Sequence, residues 1–418
     1  MTITSFLNAN QEDLIFNLDK WDLKNCRITK SGEIVMNGQN INECESCTIE
    51  TVRKIIIREL IISSNFNIID SNVVFENCTF LLLDPMMFRS VRSSIRAINC
   101  KFVSNNDITA NKASLRISIE SSNCDFFRCE FISCLFNAKD HSTLNIDYSK
   151  FTGYESSILI EESSAAFFMG CSFLESDGAI KGSKSSIILD KCEFYRLHGY
   201  AIIADSSKID IGESSFDGCF CFCKSKSEIS INQSLFFNND VIALYVTDSK
   251  ALLHNVSFSN NTISINAKNS LINSCNCSYL NNIDNGYQGS AISSFDSIIE
   301  LEKCELKAAG KYNISCYGQS LIKISHSSVG NAFENELLLD EKSICELSFC
   351  IVYYNNRCIS AHEKSKINAY KSVFIQHNGL EYPQIIYGYI KTPNGVPESI
   401  LEPPQCYNRF QKCEYLSL

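Results

Sequence analysis

The residues best suited to chemistry fall into two groups. Asp190, Arg196, His198, Asp210 and Glu213 stand within one short stretch, and paired carboxylates with a base and a cation beside them are the equipment for hydrolysing or eliminating an acidic polysaccharide. Adjacent turns of a coiled chain would bring the five within reach of one sugar or one cation. The competing reading is a solvated strand face. The second group is sulfur: Cys219-Phe-Cys221-Phe-Cys223 and Cys275-Asn-Cys277 are the densest runs among 22 cysteines. A C-x-C spacing on a strand sets the sulfurs on one side. The zinc signature of two spaced C-x-x-C pairs is missing, however, and the six histidines are scattered, so Cys219, Cys221 and Cys223 read as core fillers before metal ligands. No nucleophile elbow occurs and no cofactor is implied.

The element that must position any of these is a repeat. The decamer SSIILDKCEF (Ser185 to Phe194) has Ser first, apolar residues third and fifth, Cys or Ser eighth and a large apolar residue tenth. The pattern recurs with closing residues Phe80, Phe102, Phe131, Phe151, Phe173, Phe194, Phe216, Phe236, Phe258, Tyr279, Leu306, Val329, Val352 and Phe374, mostly 20 to 23 residues apart. Serine stands nine positions before every closing residue, from Ser71 and Ser93 to Ser343 and Ser365. Two positions before it stand Cys78, Cys100, Cys129, Cys171, Cys192, Cys277, Cys304 and Cys350, with serine at Ser149, Ser214, Ser234, Ser327 and Ser372 and Val256 as the large exception.

Strand side chains alternate with period two, so the third and fifth positions share a face and the eighth and tenth repeat the logic on a second strand. A third apolar pair, as in Ile202 and Ala204 or Leu244 and Val246, completes a coil of three short strands. One coil cannot bury its own inward face; stacking like on like builds the core. The period predicts an all-β chain, a right-handed parallel β-helix of about 14 coils, rather than a hexapeptide or pentapeptide solenoid. Asn105, Asn239, Asn261 and Asn282, each three past a closing residue, are expected at corners, because asparagine tolerates left-handed backbone. The two long intervals place insertions at NDITANKAS and IDNGYQG.

Boundaries follow from where the repeat runs: an N-terminal cap and first strands at 1–60, the β-helix at 61–380, and a C-terminal cap or tail at 381–418 holding five of the six prolines. Leu14, Phe16, Leu18, Trp21 and Leu23 suit a capping helix or strand, since solenoid ends need covers.

A net charge of -10 offers no electrostatic footprint for nucleic acid or an anionic membrane. The first 25 residues lack a signal-like segment, and no 18-residue apolar run occurs. The expectation is therefore a cytoplasmic chain whose thiols are reduced and whose sequons at Asn77, Asn255 and Asn313 are unused.

The decamer with its Asn corners resembles the pectate-lyase-like superfamily of parallel β-helices over residues 60 to 380. The Phe236 to Asn239 and Phe258 to Asn261 elements are also similar to the F-x-x-N repeats of polymorphic-membrane-type surface proteins. The resemblance implies the fold, but the superfamily's catalytic blocks (N-T-D, D-D, G-H-G, R-I-K) are absent, with His198-Gly199 the nearest approach. The outward column four before the closing residue reads Glu76, Ile98, Phe127, Asp147, Met169, Asp190, Gly212, Asn232, His254, Cys275, Glu302, without carboxylates on adjacent coils. The functional expectation is a non-catalytic rod that binds other proteins as a scaffold within a larger intracellular assembly, a cytoskeletal filament being one such partner. The alternative is a carbohydrate-active or carbohydrate-binding β-helix, with tyrosines such as Tyr195, Tyr200, Tyr245, Tyr353 and Tyr354 stacking on sugars.

Overall fold

In the computed structural model, residues 46–376 are described apart from 63–64, 83–86, 105–114, 154–156, 177, 282–288, 308–309, 355–356 and 363, together with strand backbone at 14–16, 25–28, 34–37, 40–41 and 384–391. The described residues are all strand, bend and turn, and they form a parallel β-solenoid of about 13 turns, as the repeat requires. The chain divides into two compact units, 1–209 and 210–418.

In the first unit a representative turn runs through the strands Ser186–Asp190, Glu193–Tyr195 and Tyr200–Asp205. Each lies parallel to its counterpart one turn earlier, with Ala166 against Ile187, Phe173 against Phe194 and Ile180 against Ile202. The second unit repeats the plan with Glu228–Asn232, Leu235–Phe237 and Ile242–Thr247. Ile229 pairs there with Ala251, Phe236 with Phe258 and Leu244 with Ile265. In-register parallel pairing sets equivalent residues one above another, so each column seen in the sequence becomes a physical stack.

The closing column is a pile of rings. In the first unit Phe80, Phe102, Phe131, Phe151, Phe173 and Phe194 stack with centroids 4.5 to 5.0 Å apart. In the second unit Phe216, Phe236, Phe258 and Tyr279 do so at 4.3 to 5.1 Å. Each ring is buried, contributing about 1.5–3 kcal/mol by removal from water.

The serine column has a hydrogen-bonding cause. The Ser71 N–H donates to Ser93 Oγ (3.1 Å), Ser93 to Ser122 (3.0 Å), Ser122 to Ser142 (3.2 Å) and Ser142 to Ser164 (3.1 Å). The second unit repeats this from Ser227 through Ser249 and Ser270 to Ser297. At each corner the ladder breaks, and a hydroxyl from the next turn accepts the buried N–H that would otherwise be stranded. The Cys/Ser column does the same at the following corner: the Cys129 N–H reaches Ser149 Oγ at 2.9 Å and the Val256 N–H reaches Cys277 Sγ at 3.4 Å. The position needs a small side chain with a lone pair, which is why cysteine and serine interchange.

The corners differ in detail from the expectation. Left-handed backbone falls two residues past the closing residue, at Asn238 (φ 58°), Asn260 (54°) and Asn281 (52°). Asn239 and Asn261 point inward as a buried amide ladder, with Asn239 Nδ2 donating to Asn261 Oδ1 at 2.9 Å and Asn261 Nδ2 to the Phe236 carbonyl at 3.0 Å. The amide saturates both edges of the corner, a stronger demand than backbone strain. Asn105, Asn282 and nearly all of both expected insertions lie outside the described residues.

Toward the N-terminus, Leu14–Phe16 pairs in parallel with Ile34–Met36, while Leu18, Trp21 and Leu23 fall outside the described residues. Toward the C-terminus, the strand Gln384–Lys391 runs antiparallel to Lys366–Gln376. An antiparallel hairpin partner covers a sheet edge without adding another turn. The five late prolines lie outside the described residues.

Candidate functional site

A groove of about 810 Å3 opens on the outer face of the second unit. Its floor is five consecutive strands: Glu228–Asn232, Lys250–His254, Leu271–Cys275, Ile298–Glu302 and Leu321–Ser325. Their inward residues, such as Ile231, Leu253 and Leu301, are buried aliphatics, so period two sends the intervening residues outward. Two outward columns result. One reads Ser230, Leu252, Asn273, Glu300, Lys323; the other reads Asn232, His254, Cys275, Glu302, Ser325. At roughly 4.8 Å per turn, five strands present about 19 Å of polar lattice.

Glu300 accepts from Lys323 Nζ at 3.1 Å, and Glu302 lies 3.2 Å from Lys303 Nζ. All four side chains are substantially exposed, so these pairs are worth under about 1 kcal/mol and exchange readily for a ligand. The Asn273 amide, oriented with nitrogen toward Glu300, donates to its Oε2 at 3.3 Å. Beyond Ser325 the corner column turns aromatic. His326 and Phe349 stack at 5.0 Å and 8°, Tyr370 meets Phe349 edge-on at 5.5 Å, and Lys371 Nζ lies over both of the latter rings. Phe349 and Tyr370 are exposed. Carboxylate, amide, imidazole and hydroxyl groups stand in a row, and partly exposed rings stand in a corner column of the same unit.

Asp190 ends the strand Ser186–Asp190, whereas Arg196 and His198 follow the strand Glu193–Tyr195 at the next corner. Arg196 lies over the Tyr195 ring at 4.9 Å, and the His198 N–H donates to the Ser176 carbonyl at 2.9 Å. Asp190 and the Arg196–His198 pair thus flank opposite ends of one strand in the first unit. Asp210, half-buried, and Glu213, at a left-handed corner (φ 45°), belong to the second unit. Cys219, Cys221 and Cys223 all point inward and are buried, with Phe220 and Phe222 outward. Burial pushes the Cys223 thiol up to about 12, against a hydrogen bond from Ser249.

The groove was the feature hardest to read from sequence. Its Asn232, His254, Cys275, Glu302 column is visible there, but a search for paired carboxylates passes over it. The usable signal is the run of unlike reactive side chains, Asn232, His254, Cys275 and Glu302, on consecutive turns.

Neither the protein-family models nor the curated proteins give a match to this chain. Its fold is found among solved structures. A periplasmic alginate epimerase, AlgG, is 11% identical with a TM-score of 0.37, covering 79% of this chain and 76% of the epimerase. Tailspike protein 3 of bacteriophage CBA120 is 11% identical at a TM-score of 0.38, covering 80% of this chain and 58% of the tailspike. PfbA, a surface adhesin of Streptococcus pneumoniae, is 12% identical at 0.33, covering 77% and 92%. Likenesses at this level are of fold.

The expectation of a non-catalytic scaffold within an intracellular or cytoskeletal assembly is corrected here. The structures that share this fold are an epimerase, a tailspike and an adhesin, and the outer face of the second unit is a built polar groove.

Proposed function

We propose that this chain is a carbohydrate-binding β-helix, and that the second unit lays a glycan along the groove from Ser230 and Asn232 to Lys323 and Ser325. The observation that carries the reading is the pairing of an in-register polar lattice with the exposed rings of Phe349 and Tyr370. Sugar hydroxyls both donate and accept, as Asn232, Asn273, Glu300 and Ser325 require. A sugar C–H face would take the place of Lys371 Nζ over the Phe349 and Tyr370 rings.

Charge narrows the ligand class. Glu300 and Glu302 are balanced by Lys323 and Lys303, and the chain carries a net charge of -10. A polyanionic glycan would meet repulsion here, so an uncharged chain fits better.

Titration of the full chain with neutral and acidic oligosaccharides tests this. Retention of a neutral glycan, weakened about tenfold or more by Phe349→Ala and by Glu300→Gln, is the expected result. Failure of every glycan to bind, or binding untouched by both substitutions, would sink the proposal.

A further inference from the structure

Among the cysteines whose side chains are described, Cys275 alone is partly open and the rest are buried. It opens into the groove, in register with His254 one turn before and Glu302 one turn after, and Asn232 stands beyond His254. Side chains on one face of adjacent parallel strands rise roughly 4.8 Å apart. A thiol and an imidazole at that spacing meet by a rotamer change alone. No cluster of three His, Cys, Asp or Glu side chains placed to hold a metal ion is found among the described residues. The juxtaposition therefore favours thiol chemistry over metal binding.

We propose that Cys275 and His254 form a reactive-thiol site that takes a small disulfide. His254 accepts the thiol proton. The Cys275 sulfur attacks one sulfur of the incoming disulfide, a new S–S bond forms as the old one breaks, and the departing thiolate takes the proton back from the His254 imidazolium. The co-reactant is the disulfide itself, so no other oxidant is needed. Among the charged groups facing the pair, Glu302 opposes the developing thiolate, while Lys303, 3.2 Å from Glu302, offsets that carboxylate. Glu300 is held by Lys323 on the adjacent column. The other thiols whose burial is described lack this access, as Cys192 and Cys277 illustrate at 0% and 2% exposure.

The test uses dipyridyl disulfide, an uncharged aromatic disulfide whose released thiol is followed by absorbance, on the folded full chain at pH 6.5. Labelled peptides are mapped by mass, so that cysteines outside the described residues are counted separately. Cys275 is expected to react at least about tenfold faster than a free thiol peptide, because the neighbouring imidazole takes the proton as the sulfur attacks. Cys275→Ser abolishes the fast phase; His254→Ala slows it about tenfold, and most of that loss disappears at pH 9. Both positions point outward, and unchanged denaturation midpoints would establish that the variants fold. His254→Gln, which keeps the bulk, serves if alanine does not fold. A Cys275 rate equal to the peptide's, or an equal rate without His254, overturns the proposal. Neither result depends on glycan binding.

Discussion

Asn313 Nδ2 donates to Glu336 Oε2 across adjacent turns of the second unit, and the Ala332 N–H donates to both carboxyl oxygens at 3.2 Å. The Glu336 side chain is fully buried. Burial raises its carboxyl to about 7, with the hydrogen bonds from Ala332 and Asn313 pulling the other way, against an ordinary 4.5. Between those values the folded chain holds a proton that the unfolded chain releases. The contribution is therefore fully present below about pH 4.5 and is lost as pH rises to about 7, by up to about 3 kcal/mol. Denaturant midpoints of wild type and Glu336→Gln compared from pH 4.5 to 7.5 are expected to diverge in slope, the wild type losing stability faster. Parallel curves would contradict the assignment.

Ser93 accepts the Ser71 N–H at 3.1 Å and donates to the Val91 carbonyl at 2.8 Å. Ser93→Ala strands a buried N–H and is expected to cost about 1–3 kcal/mol. Ser93→Cys should cost less, because thiols fill the equivalent role one corner on. Urea unfolding decides; equal losses would mean that packing, not the acceptor, governs the column.

Tyr279 is the tyrosine in a closing column otherwise built from phenylalanine and aliphatics. Its hydroxyl shares a 2.8 Å hydrogen bond with Ser274 Oγ, and Ser274 stands where Leu253 and Leu301 stand on the flanking turns. Ser274→Ala leaves the buried Tyr279 hydroxyl stranded and should cost about 1–3 kcal/mol, whereas Tyr279→Phe leaves Ser274 Oγ its contact with Cys304 Sγ at 3.6 Å and should cost less. The double variant should cost less than the sum, by at least about 1 kcal/mol. Strict additivity in a denaturation cycle would refute the coupling.

Gly170 occupies a left-handed corner (φ 60°), yet Tyr148 (49°) and Lys191 (54°) hold the same corner on neighbouring turns without glycine. The ring of Tyr148 explains the difference, since a Cβ on Gly170 would lie 2.8 Å from its Cδ1. Tyr148 is exposed and can swing away. Gly170→Ala is therefore expected to cost about 1 kcal/mol or less while displacing the ring, visible as a changed Tyr148 NMR signal. A larger loss with the ring in place would show that backbone strain dominates.

Columns in which every turn makes the same demand were legible in the sequence. Phe151 must match Phe131 and Phe173, and Ser122 must accept from Ser93, so the types repeat and the period declares the fold. What belongs to one turn was not legible. Glu336 reads as one more acidic residue until the Asn313 turn is placed against it. Asn239 and Asn261 read as corner residues until their amides are seen to bond each other. The groove depends on depth, which the order of outward residues does not encode. Asp190 and His198 drew attention by their chemistry, yet a strand separates them.

The serine ladder also bears on how such a chain can change over generations. Ser227 and Ser249 are related by a step of 22 residues, and everything between them rejoins its columns after one circuit. Loss or duplication of that whole segment leaves each remaining donor facing an acceptor, whereas loss of one residue turns every following side chain on its strand inside out. Unequal recombination between similar turns is therefore a tolerated route to variation here, and single-residue indels within strands are expected to be purged.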